Sequence, residues 1–318
     1  VAALVAQGHG GRTIVSCDDG RRWVHDVSTD PELDCRTVDC THHAWSAKGL
    51  AYARGHWVAT WGWGAPGALR RSTDAVAWET SLEGLVFGAV VATPTGFLAL
   101  SGAPQRSRDD GATWTLVAQP PRRRHVRQAA SAEHEGESRV LVLGDTYEDV
   151  QYGVLSRDEG DRWIELAEPP DACSMRGSIA HGAGVWVVVG GAGAACRSTD
   201  GGQTWTQTAT LPEVRTDVVW SGSEFVAWRR GSGVFRSADG VDWTDTATDF
   251  TPDEVAATAS GAFVSITDQY ERQAFHRSDD GVHWEALPEG AFTRGHRIRF
   301  IAAGRVPLAT CEDGAAAR

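Results

Sequence analysis

Histidine, arginine and aromatic side chains are the groups in this 318-residue chain best suited to chemistry. Of eleven histidines, His9, His42, His43, His125 and His296 fall beside segments that read as the ends of short strands, and they come from separated parts of the chain. Neutral imidazoles converging from separate loops suit Zn, Cu or Mn. His9, His43 and His296 are the expected ligands. A metal there would stabilise a developing oxyanion or lower the pKa of bound water. His125 and Tyr270 are the expected proton-transfer groups. Arg124, Arg176, Arg215 and Arg297 occupy or flank strand starts, and guanidinium forks recognise carboxylate, sulfate or phosphate. Trp61 and Trp63 share one loop and would offer indole faces to a sugar. The set as a whole suggests a small or carbohydrate anionic ligand. Solvated side chains on a polar rim are the competing reading, and no His-x-His spacing decides for the metal. No organic cofactor is expected.

What must position these residues is a repeat. Seven segments carry serine, aspartate two residues later, usually glycine, then tryptophan, at 16–23, 72–78, 107–114, 156–163, 198–205, 237–243 and 278–284. The clearest copy is Ser198-Thr199-Asp200-Gly201-Gly202-Gln203-Thr204-Trp205. The seven tryptophans recur 36 to 55 residues apart, the length of one four-stranded propeller blade. Between these boxes lie two apolar runs and a glycine turn, such as Leu50-Ala51-Tyr52, Arg54-Gly55, then Trp57-Val58-Ala59-Thr60. Residues 1–318 are therefore expected to form one all-β domain, a seven-bladed propeller of antiparallel four-stranded blades. Ala3-Leu4-Val5-Ala6 aligns with a second strand, so the unpaired run Arg297-Ile298-Arg299-Phe300-Ile301 should return to complete the first blade.

The repeat resembles the Asp box, or bacterial neuraminidase repeat, of sialidase-like propellers, over nearly the whole chain. The resemblance implies a fold, with each box a structural turn. Aspartate accepts from turn amides, glycine supplies positive φ and tryptophan packs in the blade. Ala75 replaces the glycine of the second box, which is expected to distort that turn. In such propellers the boxes lie on one face, and the loops leading into the inner strands lie on the other. His9, His42, His43, His125 and His296 map to that upper face; His56, His134, His181 and His283 map to the lower one. Tyr147, Tyr152 and Trp228 are also expected near the upper loops. A sialidase is disfavoured: the Phe/Tyr-Arg-Ile-Pro signature is absent, and seven repeats fit a six-bladed catalytic domain poorly.

A formal charge of −12 opposes general nucleic-acid binding, and no apolar run is long enough to span a membrane. Of six cysteines, Cys35 and Cys40 could close a local loop, Cys173 and Cys196 share one repeat, and Cys17 and Cys311 lie at opposite ends. Three disulfides would suit an oxidising compartment, and with Val1 in place of an initiator methionine they suggest an exported, periplasmic or secreted, monomer. Two functions remain in view. One is a metal-dependent enzyme of lyase or oxidase type acting at the channel mouth. The other is a non-catalytic platform that recognises protein or glycan, since Asp boxes also occur in sorting receptors and photosystem assembly factors.

Overall fold

The computed structural model describes residues 1–8, 11–28, 49–61, 67–85, 87–121, 125–145, 151–166, 173, 177–190, 193–212, 218–229, 233–269, 272–287 and 298–316. The described strands form seven four-stranded antiparallel sheets, the blades of the expected propeller. The inner strands are Ile298–Arg305, Gly49–Ala53, Phe87–Thr93, His125–His134, Ser178–Gly182, Val219–Trp220 and Glu254–Ala257, for blades one to seven. They contact one another in order round the ring, and Glu254–Ala257 meets Ile298–Arg305 to close it. The second strands read as unbroken apolar runs, such as Val185–Val189, and are buried along their length. That pattern follows because neighbouring blades cover both faces of each sheet. Outer strands such as Thr244–Ala247 are polar and exposed.

The boxes make the turns between third and outer strands, and they come in two lengths. In the eight-residue boxes two consecutive residues are left-handed: Asp19 and Gly20, Asp110 and Gly111, Glu159 and Gly160, Gly201 and Gly202. The seven-residue boxes have one, at Ala75, Gly240 or Gly281. Both share one hydrogen-bond scheme. In the fifth box Asp200 Oδ1 accepts from the amides of Gln203 at 3.0 Å and Thr204 at 2.9 Å. The serine, whose role the motif alone did not suggest, does as much. Ser198 Oγ donates to Asp200 Oδ1 at 2.8 Å and accepts from the buried amide of Gly202 at 2.9 Å. The tryptophan closes the turn, Trp205 Nε1 donating to the Gly202 carbonyl at 3.1 Å.

The second box keeps this scheme, contrary to the expected distortion. Ala75 adopts φ 62°, its amide reaches Ser72 Oγ at 2.8 Å, and the Val76 and Ala77 amides reach Asp74 Oδ1. A left-handed alanine costs about 1–2 kcal/mol; its buried methyl packs in a cluster with Val5, Val15, Trp57 and Val306. Elsewhere the glycine is required by contact as well as by φ. A Cβ at Gly20 would lie 2.3 Å from Val264 Cγ2, at Gly111 2.7 Å from Val58 Cγ2, and at Gly240 2.6 Å from Val187 Cγ2. Each of those valines belongs to the preceding blade. The turn is thus also the seat of one blade on the next.

Arginine reinforces these seats. Arg71, Arg106, Arg197, Arg236 and Arg277 each stand one residue before a box serine. Arg197 Nε donates to the Asp239 carbonyl at 2.7 Å and Arg277 Nε to the Asp19 carbonyl at 2.8 Å, both in the following blade's box. Arg106 Nη1 reaches the Asp158 carbonyl at 3.4 Å and the Asp161 carboxylate at 2.8 Å. Two positions lack the arginine. At Leu155 the buried Arg139, from the second strand of blade four, lies against the next blade's box, its Nε 2.8 Å from where a Gly201 Cβ would stand. At Val15 the joint is apolar and coincides with the seam of the ring.

The seam is built from both chain ends, as expected, with the last strand running on to Arg305. Leu4 pairs with Ala303 on one side and Ser16 on the other. The Val1 ammonium donates to the Val306 carbonyl at 2.7 Å, and Val306 N donates back to the Val1 carbonyl at 3.0 Å. A terminal helix, Leu308–Ala316, then contacts the outer strand Val24–Ser28. The Cys17–Cys311 disulfide fixes it, and His25 Nε2 bonds the Thr310 carbonyl. A second disulfide joins Cys173 to Cys196 within blade five; Cys35 and Cys40 lie outside the described residues.

Three outcomes are expected. Ser198→Ala should lower stability about as much as Asp200→Ala, by about 1–3 kcal/mol, because a buried amide loses its acceptor; equal urea midpoints for Ser198→Ala and wild type would contradict this. Cys17→Ser with Cys311→Ser should cost up to about 4–5 kcal/mol less any native strain, since the bridge spans 294 residues, measurable as a drop in Tm with the fold retained. Stability should also fall in acid. The Thr113 hydroxyl and amide hold the Asp109 carboxyl at about 2, against an ordinary 3.8. In Asp200 burial opposes such lowering but is outweighed by bonds from Thr204, Ser198 and Gln203. Depressed carboxylates stabilise fully above about pH 4 and lose that contribution as pH falls through about 2. Urea midpoints across this window should drop steeply in wild type and less so in Asp109→Asn.

Candidate functional site

The inner strands begin together at the upper end of the channel, opposite the box turns. His125 opens the inner strand of blade four, where its register partner is Asp145. Trp61 ends the second strand of blade two, paired with Ala68, and Tyr152 lies in the strand Gln151–Ser156. His125 thus stands at the inner-strand start expected of it, whereas Trp61 and Tyr152, expected in or near loops, stand near the ends of strands. His9, His42, His43, His296, Arg124, Arg176, Arg215, Arg297, Trp63, Tyr147 and Tyr270 lie outside the described residues. Among the described residues no group of three or more His, Cys, Asp or Glu side chains is placed to hold a metal.

The histidines expected on the lower face are found there. His56 Nδ1 lies 3.9 Å from Asp110 Oδ2, and His283 Nδ1 lies 2.7 Å from Asp280 Oδ2 in the seventh box. His181 stacks against Trp186 with ring centroids 4.9 Å apart; burial, then the nearby His134, lowers its pKa. Trp228 corrects an expectation. It is fully buried, packs edge-on against Phe263 and donates from Nε1 to the Gly281 carbonyl at 2.9 Å. It serves the joint between blades six and seven and offers no surface to a ligand. The apolar alternation of Phe225–Arg229 did not reveal which face a neighbouring blade would cover.

Two cationic residues at the upper end were missed. In each blade one inner-strand residue pairs, across the second strand, with the box serine's partner: Ala303 and Ser16 flank Leu4, for example. Four residues before this reference point, three blades skip a residue in their pairing. Gln7 pairs with Phe300 and Gly8 with Ile298, leaving out Arg299. Val126 pairs with Gly144 and Gln128 with Leu143, leaving out Arg127. Phe87 pairs with Ser101 and Ala89 with Leu100, leaving out Gly88. Such bulges bend a strand and re-aim the side chain of the residue that strand pairing skips. Arg127 and Arg299 are both exposed.

The same level elsewhere is occupied differently. Blade five has Gly177, where a Cβ would lie 2.2 Å from the Val189 carbonyl oxygen, and blade seven has the exposed Asp253. Arg127 therefore stands between two blades that carry glycine at its level. Counting back four residues from the strand position opposite each box would have found all five. A reading guided only by strand starts, uncertain by about two residues, selected their neighbours.

No protein-family model matches this chain, and no curated protein matches its sequence. Solved structures do resemble its fold. A structure titled YCF48 bound to D1 peptide superposes with TM-score 0.56 at 12% identity, covering 91% of this chain and 89% of that one. YCF48 from Cyanidioschyzon merolae gives 0.55 at 14% identity, over 90% and 92%. PorZ, a bacterial surface component of the type-IX secretion system of Porphyromonas gingivalis, gives 0.51 at 14%, over 93% of this chain and 40% of PorZ. At these identities the likeness concerns the seven-bladed propeller fold.

Proposed function

We propose that this propeller is a binding or assembly platform that works outside the cytoplasm and takes a peptide segment of a partner protein at the upper mouth of its channel. The observation that carries the reading is its likeness, over nine-tenths of both chains, to a propeller solved with a peptide bound. The joints support it physically. Box turns, arginine clasps and a disulfide-locked seam hold the inner strands in one arrangement, and a preorganised surface loses little entropy on binding. Two disulfides support the oxidising compartment, and no described helix is long and apolar enough to cross a membrane. The boxes are read as Asp boxes of the sialidase-like type, on the strength of their Ser, Asp, Gly and Trp geometry.

Selection of a displayed random-peptide library on the immobilised full chain tests this. Selected peptides should slow hydrogen exchange at the inner-strand starts around 125–128 and 298–300 and leave the box turns unchanged. Failure to select any peptide, or protection confined to the box turns, would defeat the reading.

A further inference from the structure

We infer that the joint between blades four and five is acid-sensitive and loosens when His134 and His181 take up protons beside the buried Arg139. This joint lies on the lower face, away from the peptide site proposed at the upper mouth. One box position sets it apart. In the eight-residue boxes the residue after the box aspartate is Asp19, Asp110, Glu159 or Gly201. Where this residue is Asp110 or Glu159, it serves the hairpin turn of the preceding blade. Asp110 faces Arg54 Nε at 3.1 Å and His56 Nδ1 at 3.9 Å. Glu159 accepts from the Thr95 amide at 3.2 Å and from the Thr95 hydroxyl. Box five has no carboxylate at this position. A Cβ at Gly201 would lie 2.8 Å from Arg139 Nε and 2.9 Å from His134 Cδ2. The preceding blade fills the place with an arginine and a histidine.

His181 joins them from blade five. Its ring stacks on Trp186, and its Nε2 is buried without a hydrogen-bond partner, as is Arg139 Nε. Burial first, then His134, lowers the His181 pKa from 6.5, so the ring is neutral at pH 7. The carboxylates around it are few or spent. Glu133 and Glu135 are exposed on the turn of blade four. Glu137 is the register partner of His134 but is already held by Arg139, with Arg157 nearby. Asp200 of box five accepts from Ser198, Gln203 and Thr204 of its own turn. Blade six offers the uncharged Trp220, pressed on Gly182. Once both imidazoles are protonated, three positive charges share Glu137 across a partly buried joint, where like charges repel more strongly than in water. His56 and His283 differ, because each faces an aspartate, Asp110 or Asp280. The sign follows from linkage. A histidine kept neutral in the closed joint but free to protonate in the open one favours opening as pH falls below 6.5. Above that value both states are neutral and the effect vanishes.

Hydrogen exchange of the full chain between about pH 8 and about pH 5, the range in which histidine titrates, tests this, with rates corrected for their intrinsic pH dependence. Amides in 137–141, 178–189 and 198–205 should exchange about tenfold faster in acid, the factor that one pKa unit represents. Those in 56–60 and 107–114, at the His56 joint, should stay protected. Glu137→Gln, a change at an exposed residue, removes the shared carboxylate and should move the loosening to higher pH. His134→Gln with His181→Phe should abolish it, the phenyl ring keeping the stack on Trp186. Equal protection at both pH values in wild type overturns the assignment. A uniform rise at every joint does so too, as does an undiminished response in the double variant. If that variant fails to fold, Glu137→Gln decides, and a response identical to wild type overturns the acid-sensitive joint.

Discussion

Everything in this propeller depends on a turn that must satisfy its own amides while presenting no side chain to the blade behind it. Ser198 and Asp200 together accept the turn N–H groups that no strand can reach. The glycine amide, buried under the preceding blade, would otherwise be an unpaired donor, and burying one is costly. At Gly20, Gly111 and Gly240 the same glycine must also lack a Cβ, because a valine of that blade lies where one would project. Satisfaction and close approach are therefore one requirement. It explains why serine, aspartate and glycine recur as a set, and in four boxes the tryptophan Nε1 bonds back to the carbonyl of the glycine, or of Ala75, to complete the turn.

Repeating this seat around a ring leaves one junction that cannot be made by chain order alone, because the first blade is assembled from both ends. That junction breaks the local rules together. Val15 replaces the clasping arginine, Ala75 replaces the box glycine, and Val306 and Trp57 fill the joint. Trp57 Nε1 donates to the Arg305 carbonyl at 3.0 Å, so the closing strand is gripped by the neighbouring blade as well as by Leu4. The disulfide from Cys17 to Cys311 adds a covalent tie where the backbone has none. A junction between segments so far apart in sequence gains from more than one such device, since the cost of closing the loop must be offset by its contacts.

Much of this was legible in the sequence. The box spacing implied seven four-stranded blades, the orphan run after the last box implied the closing strand, and the matching local sequences around Cys17 and Cys311 pointed to one seam. Their legibility has a physical source: a motif repeated seven times states its geometry seven times. Other features needed coordinates. The serine's part in the box looked like mere accompaniment until its hydroxyl was seen bridging the glycine amide and the aspartate. The arginine before the serine is five times repeated, yet for Arg106, Arg197 and Arg277 the partner is a backbone carbonyl of another blade, which has no residue signature. Ala75 was read as a defect, although an alanine can hold positive φ where its methyl is packed.

The upper face follows the opposite logic. The inner-strand level that carries Arg299, Gly88, Arg127, Gly177 and Asp253 is one structural position filled by three residue types, whereas the box level is nearly invariant. Three of these positions, Arg299, Gly88 and Arg127, sit on bulges, where strand pairing is given up. The cost falls on the inner strands, which the seats below already hold in register. Function on such a ring is therefore to be sought where equivalent positions diverge, and the divergence can be counted from the box once the pairing is known. Strand starts are a poor guide because a bulge shifts the count by one residue and turns the side chain away from the face that alternation assigns. That single-residue shift separates Arg127 and Arg299 from the residues beside them, on a scaffold that is otherwise close to sevenfold.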